Sequence, residues 1–280
     1  MHLWMLYVAT RRRTTPLWGR ILVCRPPNGG MLPSAMDKRA FREALLSVMD
    51  RKDHWSWRAF ERGLVPADRL HIHFEQEFAT YVRDFPLFLG RTYVQCPHPD
   101  VRRELAENLY EEETGKLSLG RPHAELFLLF PEGLGMDLAA FEHVRLLPAA
   151  ARYRAFLDEA TLERGWEVAA AVSTIFVEGT RYDRHEVEGT GPSRPTPPLI
   201  EHPLVRYYGL PVDKLELTRA HRMVEHDHRA AAWRMVLEYV APEAYVKVVD
   251  AMEQALDHWL AYREAVAAAC GVTRELVAAD

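Results

Sequence analysis

The 280-residue sequence predicts an all-α protein, a bundle of about seven helices. Two observations carry that expectation. Apolar residues recur at helical spacing almost throughout from Lys38 onward, and no stretch alternates apolar and polar residues for long enough to make a useful strand. There is also no internal repeat that would indicate a solenoid. With 48% hydrophobic residues the chain can bury a full core, at the upper end of what one domain holds.

The elements follow in order. Asp37 stands where an N-cap would, ahead of Phe41, Leu45, Leu46, Val48 and Met49 at helical spacing. Residues 55–60 continue that region into a loop at Gly63 and Pro66. A second helix is expected over 67–85, with Phe74, Phe78, Tyr81 and Val82 as its apolar side and Pro86 bending or ending it. The chain resumes to Gln95, turns over 96–100, and runs helical over 101–114. A Gly- and Pro-bearing break over 115–122 precedes a helix over 123–130. After a loop at 131–135 come short helices and then one long helix over 149–178, whose small residues Ala169, Ala170 and Ala171 permit close helix approach. The Gly/Pro-rich segment 182–198 reads as a long loop, either a lid or a tolerated insertion. Helices over 212–240 and 242–269 close the domain, which is expected to span 37–280.

Residues 1–36 read as a disordered N-terminal extension: an apolar stretch, then Arg11, Arg12 and Arg13, then Pro26, Pro27, Gly29 and Gly30. The basic cluster follows the apolar stretch, which is too short to span a bilayer, so neither a signal peptide nor a membrane helix is expected. Met31 or Met36 is an alternative start. A formal charge of −5 argues against nucleic acid as the main partner and leaves a small-molecule substrate as the expectation. Cys24, Cys96 and Cys270 are widely separated, which indicates neither a disulfide framework nor a thiolate zinc site and suits a reducing cytoplasm. Thirteen histidines then point to a metal with nitrogen and oxygen ligands, such as iron, manganese or zinc.

The segment HRMVEHDH over 221–228 concentrates that chemistry. At roughly 100° per residue, Glu225 lies about 40° and His228 about 20° from His221, on one helix face. His221 and His228 are nonetheless about 10 Å apart along the axis, which suits two metals better than one. A solvated helix rich in His and Glu is the plain alternative. A second and third set of donors must come from elsewhere in a bundle. Glu111, Glu112 and Glu113 precede His123, and only the break at Gly115, Gly120 and Pro122 can bring an acid and that histidine together. Glu178 ends a markedly apolar helix, where an acid is expensive unless paired or metal-bound.

The succession NLYEEETG, then His123, then AAAVSTIFVEG, then HPLVRYYGL leading into His221, Glu225 and His228 resembles the haem-oxygenase-like di-iron oxidases. That family belongs to the superfamily of the PqqC, TenA and CADD proteins, and the resemblance covers about residues 68–269. It implies a haem-oxygenase-like bundle and the metal ligands Glu113, His123, Glu178, His221, Glu225 and His228, with Glu112 as the alternative to Glu113. Glu225 departs from the Asp that many members carry. The resemblance further implies two iron ions, with manganese as a substitute, and dioxygen as co-substrate in the oxidation of a small organic molecule. No membrane or nucleic-acid partner is implied, and a homodimer is compatible. The alternatives are a metal-free oxidase of the PqqC type and a non-catalytic helical metal-binding protein. Phe85, Phe88, Phe127, Trp166, Phe176 and Tyr208 are candidates to line the cavity, and Arg181 and Tyr182 to meet substrate.

Overall fold

Asp37 starts the first helix as its position predicts: its Oδ1 accepts the Ala40 N–H at 2.7 Å, satisfying one of the donors a helix start leaves open. The computed structural model describes residues 36–189 and 196–279, without the side chains of 225–227. The expected extension therefore lies, apart from Met36, outside the described residues. The helices are α1 (Lys38–Asp50), α2 (Trp57–Glu61), α3 (Leu70–Glu77), α4 (Phe85–Gln95), α5 (Pro99–Thr114), α6 (His123–Gly133), α7 (Pro148–Leu162), α8 (Trp166–Ala170), α9 (Asp183–Glu188), α10 (Pro203–Tyr208), α11 (Glu216–Tyr239), α12 (Tyr245–Ala269) and α13 (Arg274–Ala279). No strand occurs among the described residues. The thirteen helices among the described residues exceed the expected seven because the chain is broken more finely; α1, α4, α5, α6, α7, α11 and α12 are the ones of eleven residues or more.

The five apolar residues read from α1 are all fully buried, each contributing roughly 1.5–3 kcal/mol of transfer free energy. The core they join is continuous, running through α3, α4, α7, α11 and α12. Boundaries differ from expectation at several points, and α6 runs on through Pro131 to Gly133 where a loop was expected at 131–135. Pro86 does not end a helix but sits at the start of α4, where its missing N–H costs nothing. The expected single helix over 149–178 is divided at Gly165, whose φ of +85° no helix residue adopts. The segment 182–198, expected as loop, begins with helix α9, while 190–195 lie outside the described residues.

Two π-helical segments carry the chain past the interior. Phe78–Val82 continues α3 and Ala171–Val177 continues α8. Each such widening rotates the following side chains relative to an uninterrupted α-helix, and it is commonly found beside functional sites. At the end of the second segment the Lys52 ammonium binds the carbonyls of Phe176, Val177 and Gly179, the last at 2.6 Å. These are acceptors that a helix end leaves without partners. Gly179 has no room for a side chain, since a Cβ there would stand 2.3 Å from the Ile175 carbonyl.

Among the described residues no helix is long and apolar enough to cross a membrane.

Candidate metal and substrate site

Residue 115 is where the site begins. Gly115 ends α5 with φ +60°, and a Cβ there would meet the Arg121 carbonyl at 2.1 Å. This tight return delivers His123, at the head of α6, onto the last turns of α5. There the three consecutive glutamates separate by direction, as about 100° per residue requires. Glu111 points inward and is fully buried, Glu112 lies beside the histidine, and Glu113 is exposed.

The two inner glutamates do different things. Glu111 is fully engaged: its carboxylate accepts the Leu117 N–H at 2.6 Å and the Ser118 hydroxyl, and its Oε1 lies 3.1 Å from His123 Nε2. His123 Nδ1 is buried without a hydrogen bond, with Glu112 Oε1 2.9 Å away, and in the neutral ring with its proton on Nε2 toward Glu111 it is the lone pair that a metal would take. Burial alone would lower the His123 pKa, but the Glu112 and Glu111 carboxylates outweigh it and the net shift is upward.

The remaining donors face the same cavity of about 450 Å³, a size suited to a small ligand. His221 of α11 places its ring centroid 5.2 Å from that of His123, edge to face. Glu178, at the end of the second π segment, accepts from Asn108 Nδ2 at 2.7 Å, and both it and His228 line the cavity. Burial lowers the His228 pKa, opposed by the nearby Glu112 and Glu111. Four of the six expected ligands, His123, Glu178, His221 and His228, are thus gathered around one space. Glu113 is the exception: it lies exposed outside the cavity, and Glu112 takes its place because it is one residue, and so about 100°, closer to the α6 head. The Glu225 side chain lies outside the described residues.

Do these groups suit iron? Among the described residues no three His, Cys, Asp or Glu side chains already converge as a closed metal shell. The donor chemistry nevertheless fits. A buried imidazole nitrogen without a hydrogen bond, a carboxylate beside it, and a second carboxylate holding the ring's other N–H form the arrangement that metal-bound histidines show. Nitrogen and carboxylate donors without sulfur suit iron or manganese.

Of the aromatic candidates, Phe85, Phe127 and Tyr208 line the cavity, whereas Phe88, Trp166 and Phe176 are core. The HPLVRYYGL segment forms another wall through His202, Leu204 and Tyr208, with Tyr208 donating to the Val65 carbonyl at 2.9 Å. Arg181 is exposed and bound to Asp53 at 2.6 Å and to Tyr182, so neither residue meets the cavity. His73 and Glu77, which the sequence analysis did not single out, and Tyr81, expected there only as part of an apolar face, are spaced four apart along α3 and its π continuation and also line it. That spacing beside an apolar stripe was the available signal.

A helical bundle that gathers histidines and glutamates from several helices around one apolar-walled cavity is the architecture of metal-carrying bundle proteins. The chain belongs to the iron-containing redox enzyme family, whose model matches residues 72–261. The haem-oxygenase-like fold is shared with a TenA homologue from Pseudomonas syringae pv. tomato strain DC3000. The two are 12% identical, with a TM-score of 0.62 over 84% of this chain and 97% of that one. No curated protein matches the chain.

Proposed function

We propose that this chain is a non-haem di-iron oxidase or oxygenase that uses dioxygen to oxidise a small organic substrate held in the cavity. The observation that carries this reading is the His123 ring: Nε2 is engaged by Glu111, which leaves a buried Nδ1 without a hydrogen bond beside the Glu112 carboxylate. Glu112, His123, Glu178, His221 and His228 would hold the metal, with Glu225 on the same helix face as His221 and His228. Iron bound there would supply the electrons and open positions that dioxygen chemistry needs.

The protein's own residues prepare that chemistry. Glu111 keeps His123 in one tautomer, and Asn108 orients Glu178. The aromatic wall of Phe74, Phe85, Phe127 and Phe130 limits water beside the donors and supplies an apolar seat for substrate. Membership of a family named for iron and redox activity supports the reading.

Protein titrated anaerobically with ferrous iron is expected to bind about two equivalents, as bundles with two carboxylate-rich ligand sets do, and to consume dioxygen on exposure to air. Glu112→Gln and His228→Ala should each lose about one equivalent, while Glu113→Gln should lose none. Wild-type iron content in both of the first two variants would sink the assignment.

A further inference from the structure

The cavity has a second polar pole, carried by different helices from the metal donors. Glu77 of α3 receives the Tyr81 hydroxyl on Oε1 and stands 3.0 Å from His73 Nε2 through Oε2. Behind it, Arg263 of α12 is only 1% exposed, approaches His73 Nδ1 at 3.4 Å, and stacks its guanidinium 3.9 Å from the Trp57 ring centroid. Burial lowers the His73 pKa to about 4, so the ring is neutral at ordinary pH. Arg263 donates to Nδ1, which puts the proton of the neutral ring on Nε2 beside Glu77, while the hydrogen bond that orients the carboxylate comes from the Tyr81 hydroxyl.

Charge decides what this pole can take. Among the described residues lining the cavity are four carboxylates, Glu61, Glu77, Glu112 and Glu178, and no lysine or arginine. Glu178 already accepts from Asn108 Nδ2 at 2.7 Å and Glu112 stands 2.9 Å from His123 Nδ1, so both are engaged without a metal. Arg263 is no part of the lining; it lies behind Trp57 and His73. An anionic head group would therefore meet only carboxylates at Glu77, whereas a cationic donor would meet an oriented acceptor with lone pairs to spare. An apolar wall joins the two poles. His123, Phe127 and Phe130 fall on one face of α6, and Phe74, beside His73, lies 5.9 Å from Phe127. One helical turn, about 6 Å, separates His123 from Phe127 along the axis.

We propose that Glu77 is a substrate-recognition residue that binds the protonated amino group of an otherwise apolar amine, whose remaining carbons lie along Phe74 and Phe127 toward His123. Which atoms are oxidised rests on the proposed function, but the recognition itself does not. The test is therefore made on metal-free protein, by calorimetric titration with hexylamine, hexanol and hexanoate. Wild type is expected to bind the amine about tenfold or more tighter than the alcohol, as a charge-assisted hydrogen bond implies, and the carboxylate weakest. Glu77→Gln should erase the preference for amine over alcohol. Glu77→Asp, which keeps the charge, should retain its direction; it serves as the readout if Glu77→Gln fails to fold. Tighter binding of hexanoate, or an undiminished amine preference in Glu77→Gln, or its reversal in Glu77→Asp, would overturn the proposal. An amine preference in a protein that takes up no iron would overturn the proposed function and leave this inference standing; normal iron uptake without the preference would do the reverse.

Discussion

At the scale of single residues, the site depends on which atom of each histidine carries the proton. Glu111 engages His123 at Nε2, and Arg263, which can only donate, makes Nδ1 of His73 the acceptor. For His73 the consequence is a pH-dependent stability. Its pKa is about 4 when folded, against 6.5 as the ordinary value, so the unfolded chain binds the extra proton first as pH falls. The stability that depends on a neutral His73 is then complete above pH 6.5 and is lost on descent toward pH 4. The shift corresponds to ~3 kcal/mol by pH 4. Urea unfolding at pH 7 and at pH 4.5 should show a larger loss in wild type than in His73→Gln. Parallel pH slopes in the two proteins would show that this imidazole does not titrate as described. The residue scale is also where sequence reading fell short. Three adjacent glutamates look alike in a string, and choosing among them requires knowing where the return at Gly115 sets His123. His73 and Glu77 were hidden, and the Tyr81 hydroxyl with them, because the apolar stripe Phe74, Phe78, Tyr81 and Val82 accounted for the helix on its own.

At the scale of elements, helix type and order were legible because apolar periodicity and caps are local properties, as Asp37 and the five buried residues of α1 show. The π segments were not. A widened turn has the composition of an ordinary helix, and Ala171–Val177 reads as any buried run would. The short helix α9 was missed for a related reason: its neighbours Gly189, Gly191 and Pro192 dominate the composition, whereas tertiary contacts hold it. Asp183, 1% exposed, accepts the Thr180 N–H at 2.7 Å and the Trp233 indole N–H at 3.0 Å, tying the chain after Glu178 to α11. Arg184 reaches Glu43 and Asp50 of α1. These ties make the first part of the expected lid a fixed strut. Asp183→Ala leaves the buried Trp233 indole N–H and the part-buried Thr180 N–H without acceptors and should lower unfolding free energy by about 2–6 kcal/mol, at roughly 1–3 kcal/mol per orphaned group. A denaturation midpoint within error of wild type would show that the strut is dispensable.

At the scale of the whole molecule, a family-sized bundle encloses a cavity that its core does not fill. Interiors ordinarily pack without voids much larger than a water, and a hollow of about 450 Å³ with a wall of Phe74, Phe85, Phe127 and Phe130 forgoes the dispersion contacts that filling it would give. Such a space is retained for what enters it. Val82 ends the first π segment, lines the hollow and is only partly buried, so its side chain has room to grow inward. In a filled core a larger side chain costs typically 1–3 kcal/mol, because neighbours must leave their rotamers. Here an indole at residue 82 would enter space that is already empty. Val82→Trp is therefore expected to melt at or above the wild-type temperature, to bind ferrous iron normally, since no donor is touched, and to lose affinity for ligands that occupy the cavity. Stability and occupancy would then move in opposite directions from one substitution, as sites kept open for function predict. A melting temperature well below wild type would mean that the hollow closes on itself in solution, and undiminished ligand binding would place the ligand elsewhere in the bundle.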